Sequence, residues 1–260
     1  KNIPDGKFDP LTVEPEWMLL SYHKAACASS SRSGFDPQNA FDESIKSAWS
    51  ATSGNSGEWL SVDLGKEYNV EAVQVNFADC FTKKKRAPMR EYGGTFTQER
   101  YIEEELVRYE YRIEYSSNGT DWAPYEETQN TDFPHKLIPR RARARYIRIV
   151  FASAPYGQNF SISGLRVFGL DNSKKPSAVS GENAERTSAT EARLSWNNQN
   201  DAMGYCIRLG IAPDKLYNSI LLYGQNDYTV TFLNKETEKY YFAVDSFNES
   251  GITKGSINEF

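Results

Sequence analysis

In three separate stretches of this chain apolar residues alternate with polar ones at a period of two, a pattern that admits little besides half-buried β-strands. Val73, Val75 and Phe77 are separated by Gln74 and Asn76, and Tyr111, Ile113 and Tyr115 by Arg112 and Glu114; Ile147, Ile149 and Phe151 repeat the pattern among arginines and Val150. Successive side chains of a strand point to opposite faces, so each stretch supplies one face for a core and one for solvent. Asn118-Gly119, Pro124 and Pro139 fall between the stretches as turn formers, and no helical period of usable length interrupts them. The expectation is an all-β chain built of antiparallel sandwiches. With 260 residues, 39% of them hydrophobic, there is enough material for two modest cores.

Residues 1–15 mix Pro4, Asp5-Gly6, Asp9-Pro10 and Pro15 with isolated apolar residues and read as a linker from something upstream. A first domain is expected over 16–170. Within it, Cys80 to Val107 breaks the strand rhythm with Lys83-Lys84-Lys85-Arg86, Gly93-Gly94 and Glu103-Glu104-Glu105, and is too long for an ordinary strand connection. It reads as a surface excursion. A polar linker over 171–176, ending in Pro176, precedes a second domain over 177–260.

Composition excludes several functions. A formal charge of −5 from 30 basic and 35 acidic side chains supplies no field for polyphosphate, so nucleic acid is not an expected partner, and no run is long enough to insert in a bilayer. The acidic groups fall in polar runs with no apolar flank to raise a general acid, only His23 and His135 are available for histidine chemistry, and the GxSxG nucleophile motif does not occur. Catalysis within the chain is not expected. Cys27, Cys80 and Cys206 form no framework, and Cys27 to Cys80 is the one bridge considered. The chain opens at Lys1 without a leader and reads as a processed protein or a fragment.

Two phrases, Asn39-Ala40-Phe41-Asp42-Glu43-Ser44 running to Ser47-Ala48-Trp49-Ser50, and Gly57-Glu58-Trp59-Leu60-Ser61-Val62-Asp63-Leu64-Gly65, are followed by Tyr111 to Trp122, Arg145-Tyr146-Ile147-Arg148-Ile149 and Ile162 to Gly169. In that order they resemble the discoidin (coagulation factor 5/8 type C) domain and the similar family 32 carbohydrate-binding modules. The resemblance implies a jelly-roll β-sandwich that binds carbohydrate without transforming it. Leu194-Ser195-Trp196, Gly204-Tyr205-Cys206-Ile207 and Tyr240 to Val244 resemble a fibronectin type III module, an immunoglobulin-like β-sandwich. That likeness implies Trp196 and Tyr205 as core rings on its second and third strands and Tyr240 as its corner tyrosine. Across both parts, Phe77-Ala78-Asp79, Thr131 to His135, Ala212 to Tyr217 and Phe247 to Gly251 are similar to the C-terminal region of bacterial glycoside hydrolase family 43-like enzymes. This implies an accessory region whose catalytic propeller lies upstream, a plant-type oligo- or polysaccharide partner, and a periplasmic, cell-surface or extracellular location.

The discoidin resemblance carries two sets of site residues. A structural Ca2+ would take the carbonyls of Asn39, Ser44 and Ser163 and the side chains of Asp42 and Ser47; Gly164 stands where those relatives have a Glu, and a hydrogen-bonded turn is the alternative. Sugar would bind on loops at one end of the sandwich, where rings and amides suit the C–H faces and hydroxyl edges of a glycan. Tyr156, Asn159 and Phe160 are the leading candidates, with Tyr92 and Phe96 from the excursion behind them. Phe160 has a second reading, that of a ring packed inside at the start of a strand. Two other roles compete with sugar binding: a structural bracket on a catalytic domain, and a protein or cell-surface adhesion module.

Overall fold

The computed structural model describes residues 16–78, 90–92, 95–97, 108–131, 135–155, 158–237 and 239–260; for 90–92, 95–97, 127–131 and 135 it describes the backbone alone. The chain divides into two compact units, for the most part Leu19–Gly169 and Leu170–Phe260. Among the described residues the regular structure is strand throughout, apart from one 3-10 turn at Pro37–Ala40, and no helix is long and apolar enough to cross a membrane.

The first unit contains β1 (Met18–Leu19), β2 (Ala25–Ala28), β3 (Trp49–Ser50), β4 (Trp59–Phe77), β5 (Arg90–Tyr92), β6 (Thr95–Thr97), β7 (Tyr109–Ser116), β8 (Ala123–Thr131), β9 (His135–Ser153) and β10 (Ser161–Leu170). Eight of these form one sheet in the order β1-β10-β4-β9-β7-β8, with β2 added to β4 and β3 to β10; β5 and β6 form a separate hairpin. Strands β4 and β9 pair antiparallel from Trp59 opposite Val150 to Asn76 opposite His135, with breaks of register between Asp63 and Tyr68 and between Val70 and Ala72. The first break has a local cause. Gly65 adopts φ 91°, its N–H donates to Asp63 Oδ1 at 2.8 Å, and Arg145 grips the same carboxylate through Nε and Nη2, both at 2.8 Å. A glycine takes this left-handed conformation without steric cost, so the ladder turns there and continues. Arg145 comes first in holding the Asp63 carboxyl below the usual range, ahead of the Gly65 N–H.

Alternation decides what is buried. Val73, Val75, Ile113, Ile147 and Ile149 are fully buried, with Phe77, Tyr111 and Phe151 nearly so, whereas Tyr115 at the end of β7 is only half-buried, its ring edge-on to Tyr125. On the opposite side of the sheet Arg148 lies 3.9 Å over the Trp122 ring and 5.9 Å from that of Trp59, while its Nε and Nη2 reach Glu114 at 2.8 and 2.5 Å. The paired rings and the guanidinium clamp β4, β7 and β9 together from outside the core.

The second unit contains β11 (Asn183–Arg186), β12 (Ala192–Ser195), β13 (Gly204–Gly210), β14 (Asn218–Tyr223), β15 (Asp227–Val230), β16 (Tyr241–Asn248), β17 (Gly251–Thr253) and β18 (Asn258–Glu259). One sheet runs β11-β12-β15 and the other β14-β13-β16-β17, with β18 on β16. Leu194, Ile207, Val230 and Val244 are fully buried in a shared core. Trp196, one residue past β12, and Tyr205 on β13 pack edge to face at 5.3 Å. Tyr240 is buried, and its hydroxyl accepts the Asn234 N–H at 2.7 Å.

Cys27 is an exposed free thiol and Cys206 a half-buried one, while Cys80 lies outside the described residues.

Candidate functional site

Three loops of the first unit are tied together at one end of its sheet. The loop after β2 is bound to the end of β3 by Arg32 N–H to Ser50 O at 2.8 Å and to the segment after it by Thr52 N–H to Ser30 Oγ at 3.0 Å. That segment is bound in turn to the loop before β10, by Ala51 N–H to Phe160 O at 2.9 Å and by Asn159 Nδ2 to Ala51 O at 2.9 Å. Glu58, one residue before β4, joins the first two loops. Its carboxylate accepts the hydroxyls of Ser29, Ser30 (2.8 Å) and Ser53 (2.7 Å). Burial alone would raise its pKa, but the hydroxyls of Ser29, Ser53 and Ser30 outweigh it and hold the carboxyl below its ordinary value. A carboxylate that spends three acceptor positions on serines is a brace for loops and not a proton donor.

The rim that results carries hydroxyls and amides. Asn55 and Ser56 are exposed at the tip of the second loop, and Ser33 is exposed on the first. Asn159 is half-buried; its Nδ2 is committed to Ala51 O, and its Oδ1 accepts no hydrogen bond among the described residues. Such a surface has the donors and acceptors to exchange hydrogen bonds with a polyhydroxylated ligand. Ser29, Ser30, Ser53, Asn55 and Glu58 were not singled out as site residues from sequence. The visible signal was the run Ala28-Ser29-Ser30-Ser31-Arg32-Ser33-Gly34, three serines entering a loop beside a glycine at φ 81°.

The expected residues fare differently. Asn159 lies on the rim. Phe160 does not: it is fully buried, with its ring 4.3 Å from that of Phe151 and 24° from parallel, so it has no face for a sugar and serves the core. Gln158 beside it is also buried and donates to the Tyr109 hydroxyl at 2.7 Å. Tyr156 lies outside the described residues, as does the run Lys83 to Arg86. Tyr92 lies on β5 opposite Thr95 of β6, and Phe96 opposite Glu91.

Of the residues expected to hold Ca2+, Asp42 and Ser47 bond to one another through their side chains, while Asn39, Ser44 and Ser163 were expected to offer backbone carbonyls. Asp42 Oδ1 accepts the Ser44 N–H at 2.9 Å and Oδ2 the Ser47 hydroxyl at 2.6 Å, and Ser47 is also 3.3 Å from Ser44 O. Asn39 donates its amide to Ala48 O at 3.2 Å, and the Ser163 hydroxyl donates to Asn76 O at 3.3 Å. A Cβ on Gly164 would stand 2.9 Å from Asn76 Nδ2, so the Asn76 amide fills the place where a longer side chain would start. Calcium takes six to eight oxygens, several of them charged. Here one carboxylate is present, and each of its oxygens accepts a hydrogen bond from a neighbour. Among the described residues no three His, Cys, Asp or Glu side chains gather as a metal group.

Comparison with known proteins gives one family match. Residues 24–92 match the F5/8 type C domain family. The matched stretch runs from just before β2 through β4 to β5 and so includes the serine loop, the Asp42 turn, Glu58 and Asp63. No curated protein matches the chain. Among solved structures, a chitosan-binding module of a chitosanase/glucanase from Paenibacillus sp. IK-5 is similar at 22% identity, covering 58% of this chain and 99% of its own, with a TM-score of 0.45. A fucose binding module of Streptococcus pneumoniae is 16% identical over 58% of this chain and 95% of its own, TM-score 0.41. A CBM32 module produced by Clostridium perfringens, in complex with glcNAc-alpha-1,4-galactose, is 15% identical over 60% of this chain and 97% of its own, TM-score 0.42.

Proposed function

We propose that the chain is a non-catalytic carbohydrate-binding region in which the F5/8 type C unit holds a glycan on its rim and the second unit, a fibronectin type III-type sandwich, acts as a spacer. The observation that carries the first part is the rim itself: three loops locked by Glu58 and by backbone bonds, presenting Asn159 Oδ1, Asn55 and serine hydroxyls. Binders of chitosan, fucose and a galactose-linked disaccharide among the similar structures are consistent with a glycan partner. The fibronectin reading is supported by two facing sheets and by the Tyr240 hydroxyl receiving a backbone N–H six residues upstream, the bond a corner tyrosine makes.

The finer reading follows the sequence resemblance. The target is a plant-type oligo- or polysaccharide, and the region belongs to a longer glycoside hydrolase family 43-like enzyme that acts outside the cytoplasm. Tethering a weak binder beside an active site raises the local substrate concentration without new chemistry. Calorimetric titration of the chain with xylo- and arabino-oligosaccharides, chosen after a glycan array, is expected to give a dissociation constant on the order of 0.1–1 mM. Tyr156→Ala is expected to remove the heat while leaving the melting temperature unchanged, and Asn159→Ala to remove it with a melting temperature lower by about 2–4 °C, since that change also deletes the bond to Ala51 O. Silence across the array would favour the structural bracket instead.

A further inference from the structure

Glu43 is one of two non-glycine residues with positive φ among the described residues, at 59°, a conformation that a glutamate adopts only when its surroundings hold it there. The contact that holds it is visible. Arg166, on β10, donates from Nε to Glu43 Oε1 at 2.9 Å and from Nη2 to Oε2 at 2.5 Å. Both side chains are about two-thirds covered, 34% and 28% exposed, so this pair is more than a solvated surface contact. Arg166 follows Gly164 by two residues and therefore lies on the same face of β10. In the pattern this sequence resembles, residue 164 is the carboxylate that completes an ion site. Here that position has no side chain, its space is taken by Asn76, and a guanidinium two residues on reaches back to the loop.

We propose that the loop from Asn39 to Ser47 is ordered by a cation built into the chain, the Arg166 guanidinium, in place of a calcium ion, and that its stability is independent of metal. The loop closes in two halves. Asp42 gathers the Ser44 N–H and the Ser47 hydroxyl into a knot, and Arg166 fixes Glu43 next to it. The backbone of Phe41 is secured separately by the His23 N–H to Phe41 O bond at 2.9 Å. Arg166 neutralises the Glu43 carboxylate, and the Asp42 carboxylate is held by the neutral Ser44 N–H and Ser47 hydroxyl, so the loop is closed by groups of the chain itself.

The test is thermal unfolding of the whole chain in calcium and in EDTA, together with amide exchange at Ser44 and Lys46. The wild-type melting temperature is expected to agree within about 1 °C in the two buffers, since a ligand absent from the native state cannot shift it. Arg166→Met is expected to lower it by about 2–4 °C in both buffers, with loop exchange about tenfold faster and no rescue by calcium. Glu43→Gln, which keeps the size of the side chain and weakens the pair, serves if the first variant does not fold, and should raise exchange in the same loop. A wild-type chain that loses melting temperature in EDTA overturns the proposal, as does an Arg166→Met or Glu43→Gln chain whose loop exchanges at the wild-type rate.

Discussion

Replacing Phe160 by alanine is expected to destabilise the first unit by about 3–5 kcal/mol, the usual cost of deleting a fully buried ring that leaves a cavity. Phe160 is completely covered and stacked on Phe151, which itself lies 6.1 Å from the ring of Trp49. Urea unfolding of the full chain followed by tryptophan fluorescence reads the change as a lower midpoint for the transition that involves Trp49. The outcome separates two roles that are hard to tell apart in the sequence. A ring used for stacking on sugar would lose binding and keep its midpoint, whereas a core ring loses the midpoint. Phe160 and Asn159 are neighbours with opposite duties because the chain enters β10 between them: Asn159 Nδ2 ties the rim together, and the next side chain turns inward.

Asp245→Ala is expected to cost the second unit about 3–5 kcal/mol, because it strands a partly covered guanidinium that pairs with no other carboxylate among the described residues. The Asp245 side chain is 1% exposed and accepts Arg208 Nε and Nη2 at 2.7 and 2.9 Å, Lys254 Nζ at 2.9 Å and the Gly255 N–H at 2.9 Å. Burial by itself pushes the carboxyl upward, but Arg208, Lys254 and the Gly255 N–H together outweigh it and hold the pKa below the ordinary aspartate value. With the folded pKa depressed, this contribution is fully present above the unfolded value of about 3.9 and is lost as pH falls through the folded one. Melting curves of wild type and Asp245→Asn should therefore be well separated near pH ~7 and draw together as the pH falls below the unfolded aspartate value. A separation that stays constant over this range would mean that the carboxylate charge contributes nothing.

The strand core was legible because burial follows a period of two with little interference. Val73, Val75, Ile147 and Ile149 occupy the inward positions that alternation assigns them. What the pattern did not reveal is that residues 59–77 form one strand. At Gly65 the Asp63 carboxylate holds the glycine N–H and Arg145 from 82 residues away, and the strand bends and runs on. The rim was legible as a location and only partly as a set of residues. Asn159 could be picked out by type, but the decisive group, Glu58, acts by drawing serines from positions 29, 30 and 53, and such convergence has no signature in a linear sequence. The Asp42 turn admits two readings for a related reason. The same oxygens that surround an ion can satisfy one another, and only the positions of Asn76 and Arg166 distinguish the two arrangements.

The account depends on the rim of the first unit being the surface that meets a glycan. Amide chemical-shift mapping of the whole chain during titration with an array-selected oligosaccharide tests this most directly. Saturable shifts are predicted at Ser30, Thr52, Asn55 and Asn159, with the second unit unmoved; shifts confined to the second unit or to the outer sheet face around Trp59 and Trp122 would contradict it.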